Sequence, residues 1–302
     1  MQQLDEKASP AAAVTGSRGR NTVSRTRSIA FRTLAWVTAV GVTLLFVIAL
    51  MEVVFMWLPD SVVVSVFDDV TTADLVHRGH FNSIGLVAWA LVLALVVQLR
   101  KPAERTASML LAVAIVLAGA GVYGLSGSLT DWLLEELTLL VPVLLLAWLH
   151  PRAGDLLRRP SLDRNMAGLV AVAAIPWAVF AVTQLQLQWR DMAGDTHAEM
   201  EHWATAALMA VMVVMAGLIG STDRAGWRLP AWIAVLASID YGLHSLAFPD
   251  AASSAPPLWA AAAIFWGCAY AVAILQRSRP LLGGADGDGL SPVPGTSERP
   301  TT

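Results

Sequence analysis

All six histidines sit within about two helical turns of an end of a long apolar stretch, five of them at the end that the charge pattern puts outside. His77 and His80 lie three apart in "DLVHRGHFNS" (Asp74–Ser83), a spacing that puts both on one face of a helix. His202 opens another apolar stretch in "EMEHWATAAL", with His197 just before it, and His244 closes a third in "DYGLHSLA". Neutral imidazole ligates zinc, copper and heme iron alike. Two imidazoles at i, i+3, or one from each of several helices, can reach a single ion. The expected metal ligands are His80, His197 and His202, with Glu136 and Asp240 as acidic partners. For a heme the set is His77, Arg78, His80, His202 and His244, with Arg78 suited to propionates because guanidinium pairs well with carboxylates. Asp240 stands four residues before His244, so the two share a face, and an acid there can hold an imidazole in one tautomer. Tyr123 is the other expected partner of Asp240. The plainer use of such histidines is to reach headgroups or cap helix ends. His150, in "WLHPR", stands at the opposite end of its stretch and is expected to be structural.

These residues are set into apolar blocks long enough to cross a bilayer. The chain is 56% hydrophobic and 14% charged, where a soluble domain carries about a quarter charged residues. A spanning helix needs about 20 apolar residues. Eight blocks qualify: Thr33–Trp57, Phe81–Leu99, Thr106–Leu125, Leu133–Leu149, Met166–Leu187, Trp203–Ile219, Leu229–Phe248 and Leu258–Gln276. The expected fold is therefore an all-α membrane protein of eight transmembrane helices, over 31–280. Polar tails over 1–30 and 281–302 are expected to be disordered and cytoplasmic. Cys268 is the only cysteine, so no intrachain disulfide or cysteine metal cluster can form.

Basic residues orient the spans. With the N-terminus inside, the inner segments hold all Lys and Arg except Arg78 and Arg190. Arg100, Lys101 and Arg105, then Arg152, Arg158, Arg159 and Arg164, then Arg224 and Arg228 fall in successive inner turns, as the positive-inside rule requires. Both termini are then expected inside a bacterial-type cytoplasmic membrane, and five histidines face out. The outer segments are acidic, which attracts cations and disfavours anions. Glu136 lies about 21 Å along its helix from His150, and Asp240 about 15 Å from Pro230, so both are at membrane depth. Ionisable groups at that depth tend to face the bundle interior.

The halves 33–150 and 166–276 echo each other. His80 aligns with His202, and Tyr123-Gly124-Leu125 with Tyr241-Gly242-Leu243. An even number of spans per half makes this a parallel repeat of two four-helix units.

The acid-x-x-His-Arg run Asp74-Leu75-Val76-His77-Arg78, opening an even-numbered span in a chain of two four-span halves, resembles heme A synthase. It is also similar to the four-helix membrane cytochromes b. In the second half Glu199 and His202 match, with Trp203 in the arginine's place. The resemblance covers Thr33 to Leu275 in topology and two short motifs in sequence. It implies heme binding and a membrane redox partner. The chain departs from that family in having no histidine in its fourth and eighth spans, with Glu135 and Glu136 at the end of the fourth, and no outer-loop cysteines. Those departures argue against heme A synthase activity and for a divergent heme- or metal-binding relative.

Three function classes follow: a heme- or metal-binding protein with a redox or cofactor-handling role, a cation- or proton-coupled transporter using Glu52, Glu136 and Asp240, and a non-catalytic structural or assembly protein. No P-loop, HExxH, GxSxG or dinucleotide fingerprint is present. The expected partner is the lipid bilayer and not nucleic acid.

Overall fold

A computed structural model describes residues 10–59, 61–62, 78–127, 129–190, 198 and 200–278. Apart from one isolated bridge, Leu162 to Thr222, the regular structure among them is helical. In chain order the helices are α1 (Pro10–Leu45), α2 (Val47–Phe55), α3 (Arg78–Val96), α4 (Thr106–Ser126), α5 (Leu129–Leu149), the short α6 (Ala153–Leu157), α7 (Arg164–Arg190), α8 (His202–Gly220), α9 (Arg228–Ala247) and α10 (Pro257–Ser278). This is a multi-pass membrane protein.

Six helices are long and apolar enough to cross a membrane: α1 from Thr26, α3 with its continuation to Leu99, α4, α7, α8 and α10. The other two of the eight expected spans fall below that measure for different reasons. In α5 the described apolar segment is the shorter Leu137–Leu149. Helix α9 has 20 residues, but Arg228, Ser238, Asp240, His244 and Ser245 lower its hydropathy. It tolerates them because Ser238, His244 and Ser245 are buried against protein rather than lipid. Segment 281–302 lies outside the described residues. Residues 10–30, expected as part of a disordered tail, belong instead to α1. Pro10 is pre-organised for a first helical turn, and Ala11–Ala13 have the highest helix propensity.

Helix ends follow local chemistry. Gly127, at φ 91°, closes α4 with its N–H on the Tyr123 carbonyl, a left-handed cap that suits glycine. Pro142 and Pro176 sit inside α5 and α7.

Packing centres on α8, which touches α3, α4, α7 and α9. In the first half α2 packs on α3, α3 on α4, α4 on α5, and α5 on α1. In the second half α7 packs on α8, α8 on α9, α9 on α10, and α10 on α7. Across the halves α3 meets α8 and α9, and α4 meets α8. Small residues make these contacts close, as in membrane bundles generally. A Cβ on Gly242 would come within 2.5 Å of the Ala260 carbonyl oxygen, so α9 and α10 pack almost backbone to backbone there. Large apolar side chains such as Val172, Ile175 and Phe265 point outward, where lipid solvates them.

Candidate functional site

His80 lies in the first turn of α3 and His202 is the first residue of α8. Because α3 and α8 pack together, the two imidazoles meet: their rings stack with centroids 5.2 Å apart and planes 29° from parallel. Both are buried. The Trp203 indole stands edge-on to His80 at 4.6 Å, and Phe81 edge-on to His202 at 5.5 Å.

The turn between α9 and α10 covers this pair. Ser253 Oγ lies 3.0 Å from His80 Nδ1 and donates to Gln184 Oε1 of α7 at 2.7 Å. A hydroxyl has one proton. Since Ser253 gives it to Gln184, His80 Nδ1–H must be the donor to Ser253, and the lone pair of the neutral ring is on Nε2. Three hydrogen bonds pin the turn: Tyr241 Oη to the Ser253 carbonyl at 3.1 Å, Ser254 Oγ to the Phe248 carbonyl at 2.8 Å, and Ala255 N–H to Ser245 Oγ at 3.1 Å. Gly79, beside His80, has no room for a Cβ, which would collide with the Ala252 carbonyl. Ser253 (φ 64°) and Glu201 (φ 57°), which precedes His202, both occupy the left-handed region. Non-glycine residues hold it at a cost and cluster at functional sites.

A second cluster forms on the α3–α9 contact. Asp240 accepts hydrogen bonds from Asn82 Nδ2 at 2.8 Å and Trp57 Nε1 at 3.1 Å. The expected pairing of Asp240 with His244 does not form. The i, i+4 spacing puts both on one face, but Asn82 and Trp57 from the first half bring N–H donors to the carboxylate. His244 instead packs among aromatic rings, 5.6 Å from Trp57 and 4.9 Å from Phe248, and its buried Nε2 has no hydrogen-bond partner among the described residues. Tyr123, the other expected partner of Asp240, shares a hydrogen bond with Thr205 Oγ1 at 2.7 Å. Arg78 is buried; its guanidinium lies 4.1 Å over the Phe248 ring, and Nη1 donates to the Leu58 carbonyl at 3.2 Å.

The candidate residues thus do not form one site: His80 stacks on His202, Asp240 bonds Asn82 and Trp57, and Arg78 and His244 both pack on Phe248. His77, His197 and Glu199 lie outside the described residues, as do the side chains of Glu136 and Glu52. Among the described residues no three His, Cys, Asp or Glu gather as a metal cluster, so neither Asp240 nor His244 completes a set with the imidazole pair. His80 and His202 do not fit as opposed axial ligands of one heme. Imidazole lone pairs lie in the ring plane, and two rings stacked face to face cannot both aim at an iron between them.

At the other end of the bundle His150 is a clamp. Its Nε2–H donates to the Pro102 carbonyl at 3.1 Å, its Nδ1 accepts the Arg152 N–H at 3.1 Å, and Phe31 packs edge-on at 5.6 Å. Burial lowers its pKa from the ordinary 6.5.

Sequence reasoning missed Ser253, Gln184, Asn82 and Trp57. Gln184 had a readable signal: with Gln188 it makes an i, i+4 pair of amides inside an apolar span, and both are buried. Ser253, in "AASSAPP", reads only as a turn. No protein-family model, curated protein or solved structure matches this chain.

Proposed function

We propose that this protein binds a transition-metal ion through His80 and His202, in a redox or cofactor-handling role. One observation carries the reading: two buried imidazoles from different halves of the chain stack at 5.2 Å, one of them held in a single tautomer by Ser253 and Gln184. Holding the remote nitrogen of a ligand histidine is how proteins orient imidazole toward a metal. His197, five residues before His202, would supply a third ligand. The reading places the pair at the outer face of eight spans, α5 and α9 being the two beyond the six, with both ends in the cytoplasm. The distribution of Lys and Arg supports that orientation. The matched helix contacts within each half, with aligned His80 and His202 meeting at the α3–α8 contact, support duplication.

The test uses full-length protein in detergent, stripped with chelator and titrated with Zn²⁺ and with Cu²⁺. One ion per chain should bind, and His80→Ala and His202→Ala should each weaken it by more than about 100-fold, beyond the roughly 10–100-fold cost of disturbing a ligand's supporting partner. Equal binding by wild type and both variants overturns the proposal. A Soret band in the purified protein would put a heme on other ligands. Cysteine substitutions, made after replacing Cys268, test the orientation. Asp250→Cys should label from outside and Arg159→Cys only after the membrane is opened.

A cation- or proton-coupled transporter is the second reading, favoured by the Asp240 carboxylate held by Asn82 and Trp57 between the halves. Proteoliposomes with a pH-sensitive dye test it: Asp240→Asn should abolish any proton flux the wild type shows.

A further inference from the structure

Helices α7 and α10 touch far less than α9 and α10 do, and the gap between them is a cavity of about 560 Å³, within the size range of small-molecule sites. It runs along α7 from Leu169 to Gln184 and from Pro256, just before α10, along α10 to Ala269, about 20 Å at the helical rise. Trp266 Nε1 donates to the Leu169 carbonyl at 2.8 Å and ties the two helices at one end. Exposed Val172, Val179 and Phe265 lie along its lining, so the cavity opens sideways, toward lipid.

Its chemistry is uneven. The body is alanine, valine, phenylalanine and indole, while Thr183, Gln184, Tyr241 and Ser254 gather at the His80 end. No charged side chain lines it. Gln184 is 5% exposed. Its Oε1 is taken by Ser253, yet its NH₂ makes no hydrogen bond among the described residues. A buried amide with idle donors at the polar end of an apolar slot asks for an acceptor oxygen.

We infer that the slot between α7 and α10 binds an uncharged, long-chain lipid-soluble molecule, its carbonyl or hydroxyl oxygen accepting from Gln184 and its chain lying along Trp177 and Trp266. A phosphate-bearing head has no cation here to meet it, and burying an unpaired charge is costly. The site stands whether or not the imidazoles hold a metal. Through Ser253, however, its polar end is two hydrogen bonds from His80.

The test is photolabelling of the full chain in phosphatidylcholine nanodiscs. One probe is a C16 fatty alcohol carrying a diazirine and an alkyne, and the second is the matching alkyl phosphate. The alcohol should label α7 and α10 at saturation and be competed by unlabelled hexadecanol. Labelling should fall about tenfold with Ala262→Trp, which fills the slot from its lipid-facing side, and several-fold with Gln184→Leu, about the effect of one lost hydrogen bond. The phosphate should label there far less. Unsaturable label spread over all exposed helices would mean annular lipid only. That result, equal labelling by the phosphate, or no effect of Ala262→Trp in a protein of unchanged melting behaviour, overturns the inference.

Discussion

Replacing Ser253 separates two roles that one residue combines. Its hydroxyl bridges His80 Nδ1 at 3.0 Å and Gln184 Oε1 at 2.7 Å, and its backbone holds φ 64°. Ser253→Ala deletes both hydrogen bonds and keeps the left-handed backbone. Hydrogen bonds within membrane proteins average about 0.6 kcal/mol, whereas orphaning a buried polar group costs about 1–3 kcal/mol. Two bonds among fully packed side chains place the loss at about 1–3 kcal/mol, between these limits. Ser253→Gly loses the same bonds but relieves the left-handed strain, worth about 1–2 kcal/mol for a residue with a Cβ. The glycine variant should therefore be the more stable of the two by about 1 kcal/mol. The assay is unfolding of purified protein in mixed detergent–SDS micelles. Metal affinity should fall equally in both, by about 10–100-fold, because both free the His80 ring to change tautomer. If alanine and glycine variants unfold alike, the backbone of Ser253 is not strained. If metal affinity survives in both while His80→Ala abolishes it, the hydroxyl does not orient the ring.

Further predictions concern the surrounding structure. Gly79→Ala should destabilise by about 1–3 kcal/mol through overpacking against the Ala252 carbonyl. Gly41→Ala, with nothing within 4 Å of its new Cβ, should be neutral or slightly stabilising in the same unfolding assay. Asp240→Asn should change Zn²⁺ affinity by less than about threefold, since the carboxylate bonds Asn82 and Trp57 rather than the imidazole pair; a larger loss would tie the two clusters together. For His150, burial holds the folded pKa below 6.5, so above 6.5 the ring is neutral in both states. As pH falls from 6.5 toward the lowered folded value, the unfolded chain takes up the proton first and stability drops. His150→Phe should flatten that part of the melting-temperature profile between pH 7.5 and 5, and an unchanged profile would assign the dependence elsewhere.

Much of the architecture was legible because the constraints that produce it are local. Lipid requires about 20 apolar residues per span, and the helices α3, α4, α7, α8 and α10 begin and end within a few residues of the apolar blocks. The alignment of His80 with His202 also drew on local pattern, and the α3–α8 contact brings those two rings together. Partner choice was not legible. Spacing joined Asp240 to His244, four residues away, yet its donors are Asn82 and Trp57, 158 and 183 positions distant. A helical period says which residues share a face; the rotation of α3 against α9 decides what that face meets. Ser253 carried no signal at all, because a serine in a turn acquires its role only when the turn folds over His80 and Gln184. Short-range sequence can prescribe an apolar stripe or a flanking charge, since lipid and water are the same everywhere along the chain. A hydrogen bond needs a particular atom within about 3 Å, and only the packing of distant helices supplies it.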